Sequence, residues 1–289
     1  MKKTIGMSMA LVAVALMLTL SACGNSNNDN AEPGASSPSA EASVPAVEPS
    51  PSAQPSPEAS NAEPRIVKEY LNMTFDDVED GADVPNVAAE GAGFKVVKAD
   101  GNGWAVSKNT QDWAAMFLGV ADESGTEIFL ENFAIETKMM LPADNDGLSN
   151  DGGIPLFVAA EGRYDAAIGY GADLSFVNVW KAGNTDGGPI MTNNKAEFPE
   201  RGWVSDFKLD PGKEYVYTII GTHRKDADEN EFVHLRIYVD KQLVADSEVP
   251  FWKGGFGLRA WQSAIRYDYL KITDAPLTAP DGTSIEVQE

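Results

Sequence analysis

Apolar side chains in this chain recur at every second position. Phe133, Ile135, Thr137, Met139 and Leu141 alternate with Ala134, Glu136, Lys138 and Met140. Val233, Leu235, Ile237 and Val239 alternate with Phe232, His234, Arg236 and Tyr238, and Val177 and Val179 oppose Phe176, Asn178 and Trp180. A two-residue period puts one set on one face of a pleated strand and the other set on the opposite face. Further strands are expected over 66–76, 94–98, 113–120, 153–160, 164–170, 213–223, 255–261 and 264–273. Turn signals punctuate them at 144–147, 150–153, 186–188 and 211–212. From Arg65 onward no stretch shows a 3.6-residue period. About a dozen strands with almost no helix predict an all-β chain, two antiparallel sheets packed face to face. The α/β lobes of importer solute receptors need amphipathic helices and are thereby excluded.

The aromatic residues locate the core. The 12 Phe, 6 Trp and 8 Tyr all lie at or beyond Tyr70, so only that part of the 289-residue chain can bury a sizeable interior. Residues 24–64 hold eight Pro and no aromatic, Lys or Arg. Such a stretch cannot bury enough apolar surface to offset its ordering entropy, and it is expected to stay disordered. A Pro-rich tether extends by up to about 3.1 Å per residue, so this one reaches on the order of 100 Å.

Ahead of the tether, Lys2 and Lys3 precede an uncharged apolar run from Thr4 to Leu20, and small residues lead to Cys23. That is the organisation of a secretory signal peptide, and the run falls short of the roughly 20 residues a bilayer-spanning helix needs. Leu20-Ser21-Ala22-Cys23 resembles the lipobox of bacterial lipoproteins. The resemblance implies cleavage before Cys23 and a diacylglycerol on its thiol, a membrane attachment through the lipid alone. The expected organisation is a signal peptide over 1–22, lipidated Cys23 with its linker over 23–64, a domain over 65–275 and a tail over 276–289. The domain would project from the outer face of a bacterial membrane.

Charge and cysteine count narrow the partners. With 22 Lys+Arg against 44 Asp+Glu the formal charge is −22, which excludes nucleic acid as a partner because a polyanion is repelled. One Cys rules out an internal disulfide and a Cys-based zinc site. His223 and His234, the only two His, match no metal-ligand spacing and read as ordinary surface or core residues.

The run Phe232 to Val244, a hydrophobic strand ending at Asp240 with a short return strand, resembles the late hairpin of concanavalin A-like lectin/glucanase jelly rolls. Gly255 to Ala260 followed by Ile265 to Ile272 resembles their closing strands, and Asn132 to Met139 with Gly153 to Phe157 their central ones. Among branches, the spacing is most similar to the 3-keto-disaccharide hydrolase-like jelly rolls. Lys241 and Gln242 stand where that hairpin has Gly, so its turn is expected to differ. The resemblance implies a two-sheet antiparallel jelly-roll sandwich. It also implies one structural Ca²⁺ between first and last strands, held by Asp268 and by Asp76 or Asp77, whose hard oxygens suit that ion.

Catalytic patterns are incomplete. The Glu-x-Asp-x-x-Glu of retaining glucanases sets two carboxyls ~5–5.5 Å apart on one strand face, and it is absent. Glu127, Glu131 and Glu136 have spacings that do not suit one face. Val179 to Asn184 is similar to the Phe-Lys-Ala-Gly segment of jelly-roll alginate lyases, without their Arg-rich strand or Gln-Ile-His segment.

A glycan groove needs aromatic faces for sugar rings and planar polar groups for hydroxyls. By parity Asn178 and Trp180 share a non-core face, as do His234, Arg236 and Tyr238. The five would form one groove if their strands belong to one sheet; otherwise they pack under crossing loops. Trp104, Trp113, Trp203, Trp252 and Trp261 read as core or loop anchors. Three functions fit: a lectin-like lipoprotein binding polysaccharide or cell-wall glycan without cleaving it, a jelly-roll glycoside hydrolase or polysaccharide lyase, and an envelope scaffold that touches no sugar.

Overall fold

The computed structural model describes residues 67–121, 124–143, 151–158, 163–171, 174–181, 189–194, 197, 199, 201–203, 205, 207–250 and 253–287. The signal segment, Cys23, the linker, the turn signals at 144–147 and 186–188, and Trp252 lie outside the described residues. In chain order the strands are β1 (Glu69–Thr74), β2 (Ala88–Gly91), β3 (Phe94–Ala99), β4 (Asn102–Ser107), β5 (Trp113–Leu118), β6 (Val120–Ala121) and β7 (Glu127–Ile128). They continue with β8 (Phe133–Met140), β9 (Asp151–Val158), β10 (Tyr164–Gly171), β11 (Leu174–Lys181), β12 (Met191–Thr192) and β13 (Gly202–Trp203). The last six are β14 (Glu214–Lys225), β15 (Glu231–Val239), β16 (Gln242–Pro250), β17 (Gly255–Trp261), β18 (Arg266–Tyr267) and β19 (Tyr269–Asp274).

These strands build an all-β jelly-roll sandwich. The first sheet runs β16-β15-β14-β8-β18-β4-β3, with β19 beside β8 and β1 beside β19. The second runs β13-β12-β11-β10-β9-β17-β5-β2. Among the described pairings only β12 with β13 is parallel.

The alternation read from the sequence is the alternation of burial. In β8, Phe133, Ile135, Thr137 and Met139 are buried while the residues between them are half-exposed. β15 buries Val233, Leu235, Ile237 and Val239. Opposite them the second sheet contributes Ile154, Leu156, Ile168, Val177, Val179, Phe256 and Leu258, all in one core. Phe133 meets Phe256 at 4.7 Å and Phe157 at 6.0 Å between ring centroids, so the two sheets touch through aromatic faces. β4 escapes the period-two reading because Gly103 to Ser107 are buried on both faces and leave no alternation to detect.

The turn after Asp240 does depart from glycine chemistry. Asp240 and Lys241 both take positive φ, 47° and 71°, the geometry of a two-residue hairpin turn that Gly or Asn usually fills. The Asp240 carboxylate accepts from Val216 N–H at 2.9 Å and holds that turn against β14.

The outer face of the first sheet is partly covered by the chain's own C-terminal segment. Ala275, Ala279 and Ile285 pack on Ile220 and Tyr238 in a second small cluster. Arg236 Nη1 donates to Ser284 O at 3.3 Å and Arg224 Nη2 to Glu286 O at 3.0 Å, fastening the segment.

Candidate functional site

The five residues expected to share a groove do not share a sheet. Asn178 and Trp180 lie on β11 of the second sheet, and His234, Arg236 and Tyr238 lie on β15 of the first. The groove joining them therefore does not form. Parity puts Tyr238 on the non-core face, but the C-terminal segment buries it completely. His234 pairs with Asp246 through Nε2, and Arg236 Nε lies 3.4 Å from the same carboxylate.

Of the residues expected to hold calcium, Asp76 and Asp268 have partners within the protein. Lys98 Nζ donates to the carbonyls of Phe75 and Asp76, while Asp76 Oδ1 accepts from Gly103 N–H at 2.8 Å. Asp77 is exposed. Asp268 is taken by Lys138 Nζ, and that hydrogen bond is the main reason the Lys138 ammonium is held above its ordinary pKa. Lys98 and Lys138 thus lie on the Phe75 and Asp76 carbonyls and on the Asp268 carboxylate. Among the described residues no three of His, Cys, Asp and Glu gather around a common point.

A different constellation emerges on the outer face of the second sheet. Its strand register aligns Asn178, Ala167, Gly153, Arg259, Ala115 and Glu90 in one row across six strands. A neighbouring row holds Gly169, Asp151, Trp261 and Trp113, and another Trp180, Asp165 and Pro155. Within that row Ala167, Gly153 and Ala115 are buried. Gly153 is obligatory there: its φ is 151°, and a Cβ would meet Ala166 O at 2.0 Å.

Arg259 lies in the same row with only 6% of its surface exposed. Its guanidinium carbon sits 5.2 Å from the Trp113 ring centroid, and Nη1 lies 3.1 Å from Asp151 Oδ1. Arg163, just ahead of β10, reaches over Trp113 and Phe117 at 5.8 and 5.6 Å. Its Nη1 meets Glu90 at 3.1 Å and its Nε lies 3.5 Å from Asp165. Trp113 and Trp261 are 6.2 Å apart and tilted, and Trp261 leaves 45% of its surface open to solvent.

Burial pushes the Asp151 carboxyl up to about 6, against the pull of Arg259, and raises Asp165 for the same reason. For Arg259 burial works against the charge, but Asp151 and Asp165 outweigh it and hold the pKa above its ordinary value. The Asn178 amide oxygen is buried without a hydrogen-bond partner among the described residues.

Below the face, Tyr267 of the first sheet reaches through the core. Its hydroxyl accepts from Gly153 N–H at 2.6 Å and donates to Arg259 C=O, tying β9 to β17 where Asp151 and Arg259 are mounted. Inward-facing Gly152 makes room for it, since a Cβ there would lie 2.5 Å from that hydroxyl.

Arg163, Arg259, Asp151 and Asp165 were not expected from the sequence, and Trp113 and Trp261 were expected as anchors. The signal that would have found two of them is the parity that singled out Asn178 and Trp180. In Gly255 to Trp261 the residues Phe256, Leu258 and Ala260 are core, so Gly257, Arg259 and Trp261 must face outward. Trp104, by contrast, is the buried residue expected, 4% exposed.

The molecule is thus an all-β sandwich whose second sheet presents an outward face of ion-paired and indole side chains. No family model matches its sequence, and no curated protein is similar to it in sequence. Several solved structures are similar in backbone. A carbohydrate-binding module, CBM66 from Bacillus subtilis, is 15% identical with a TM-score of 0.38 over 65% of this chain and 92% of its own. The alginate lyase Aly36B is 9% identical with a TM-score of 0.47 over 76% and 98%. The exoplasmic/lumenal domain of VIP36, in a form bound to Ca²⁺ and Man3GlcNAc, is 8% identical with a TM-score of 0.41 over 77% and 92%.

Proposed function

We propose that this protein is a lectin-like module that binds carbohydrate on the outer face of its second sheet without cleaving it. The observation that carries the reading is the open Trp261 indole beside Trp113, next to Arg259 and Asp151. An indole covers the apolar side of a sugar ring. A guanidinium donates only and a carboxylate accepts only, so the more open Arg163–Glu90 pair of the same face fixes adjacent hydroxyls in one orientation, while the buried Arg259–Asp151 pair backs the indoles. Asn178 and Trp180, on the same face, extend the surface toward its other edge.

A glycan array on the purified chain, read together with release of reducing ends, tests binding and cleavage at once. Trp261→Ala is expected to weaken whichever glycan binds by about thirtyfold, the loss typical of a hot-spot aromatic. With nearly half its surface exposed, that side chain adds little to folding, so the melting curve is expected to hold. Binding that survives the substitution would remove Trp261 from the site. The hydrolase reading has its candidate acid in Asp151, beside the open Trp261 row, where burial raises the carboxyl against the pull of Arg259. Reducing ends accumulating in proportion to enzyme, and lost in Asp151→Asn, would replace the lectin reading with that one.

We further propose that the chain is attached through Cys23 to the outer face of a bacterial membrane, with the domain held away on residues 24–64. Two acyl chains suffice for stable anchoring where a single one is marginal. Cys23→Ala is expected to move the protein out of the detergent phase or leave the precursor unprocessed. Wild-type partitioning of that variant would end the lipoprotein reading.

A further inference from the structure

The geometry points to uncharged glycans, and against uronates and other acidic sugars, as the class of ligand this face takes. The inference rests on the carbohydrate-binding reading above and is drawn from the balance of charge across the face. Among the described residues, the outward positions of β2, β5, β9, β10, β11 and β17 carry one cation, Arg259, and Arg163 leads into β10. Lys181, exposed at the end of β11 with the core parity, and Arg201, just ahead of β13 in the same sheet, each have a partner of their own. Three carboxylates oppose those two guanidiniums: Asp151 on Arg259, and Asp165 and Glu90 on Arg163.

Both guanidiniums are therefore already matched, and one carboxylate is in excess. A ligand carboxylate could reach Arg259 only by displacing Asp151, and Arg163 only by displacing Asp165 or Glu90. Either exchange replaces one ion pair with another and leaves the protein's own carboxylate facing the newcomer. For Asp151 and Asp165 that orphaned charge would be a mostly buried one. A hydroxyl asks for no such exchange, because it can donate to a carboxylate oxygen and accept from a guanidinium without breaking the pair.

In the connections leading into these strands, Lys108 ahead of β5 and Lys253 ahead of β17 are paired with Asp83 and Glu131. Residues 144–150, 159–162, 172–173 and 182–188 contain Asp144, Asp146, Glu161, Asp173 and Asp186 and no Lys or Arg. The whole chain adds its field in the same direction, with a formal charge of −22. This sets the face apart from sites that must neutralise a carboxylate before acting on the sugar that bears it.

The test is titration of the full chain with two sets of soluble polysaccharides at low and at moderate salt. The neutral set is β-glucan, xylan, galactomannan and fructan. The acidic set is polygalacturonate, alginate and the same β-glucan oxidised at C6, which changes charge and little else. The expected result is binding within the neutral set that salt leaves unchanged, and at least about tenfold weaker binding of the oxidised polymer than of its parent. Acidic polymers bound as tightly as neutral ones, or tighter and with affinity falling as salt rises, would overturn the inference while leaving the carbohydrate-binding reading in place. Binding to neither set would overturn that reading and the inference with it.

Discussion

Arg259→Ala is expected to cost about 3–5 kcal/mol of folding stability and to abolish glycan binding, the largest single effect on this molecule. The side chain is 6% exposed and is the counter-charge of Asp151, with Asp165 also within its field. Removing one member of a buried pair leaves the other charge desolvated and uncompensated, which costs more than the pair itself contributes.

The pH dependence of that loss has a definite sign. The native state holds the Asp151 proton up to about pH 6, above the carboxyl's ordinary 3.8, mainly because of burial. A carboxyl whose pKa rises on folding favours the native state fully below its unfolded value. That contribution is lost as pH climbs through the folded one. Without Arg259 the Asp151 pKa moves further up, so the variant should be hurt less at pH 5 than at pH 8. Urea midpoints at the two pH values check this, and Asp151→Asn added to Arg259→Ala should recover part of the loss at pH 8. A variant with the wild-type midpoint at both values would show that the pair is solvated and has no role in holding the face.

Gly152→Ala is expected to destabilise by about 2–5 kcal/mol, through overpacking and through loss of the hydroxyl bridge beneath the face. The added Cβ would lie 2.1 Å from Ile265 Cδ1 and 2.5 Å from the Tyr267 hydroxyl, so both must move. Moving Tyr267 strands Gly153 N–H and Arg259 C=O in the core. Tyr267→Phe isolates the second effect, at about 1–3 kcal/mol, because it empties the bridge without adding an atom. Tyr217 supplies the control, since its hydroxyl is fully buried with no hydrogen-bond partner among the described residues. Tyr217→Phe should be neutral or gain up to about 1 kcal/mol. Chemical denaturation of the three variants side by side decides the matter. Equal midpoints for the two Tyr→Phe variants would mean the Tyr267 bridge holds nothing.

The sandwich was legible in the sequence because its strands alternate. Phe133 to Leu141 and Val233 to Val239 announce their core faces directly, and the structure buries those residues. The site was less legible for three separate physical reasons. Parity assigns a residue to a face of its strand but says nothing of which sheet the strand joins. Asn178 with Trp180, and His234 with Arg236, thus read as one groove although they lie on opposite sheets. A non-core face is also not always an open one, and Tyr238 is fully buried under Ala279 and Ile285, some forty residues further on. Finally, an Asp at a strand end reads as a metal ligand until its partner is known. Lys138, which takes Asp268, lies on a strand far from it in the chain.

The segment fastened across the first sheet has a consequence for valency. A sandwich of two sheets has two broad surfaces, and here the chain spends part of one on itself through Ala275, Ala279 and Ile285. The paired-indole face belongs to the other sheet alone. On the proposed reading, a single copy with one such face would grip one stretch of glycan and would not bridge two strands. Cross-linking, or a hold stronger than one site provides, has to come from many copies crowded on a common surface. There each further contact forms at the high effective concentration set by its neighbours.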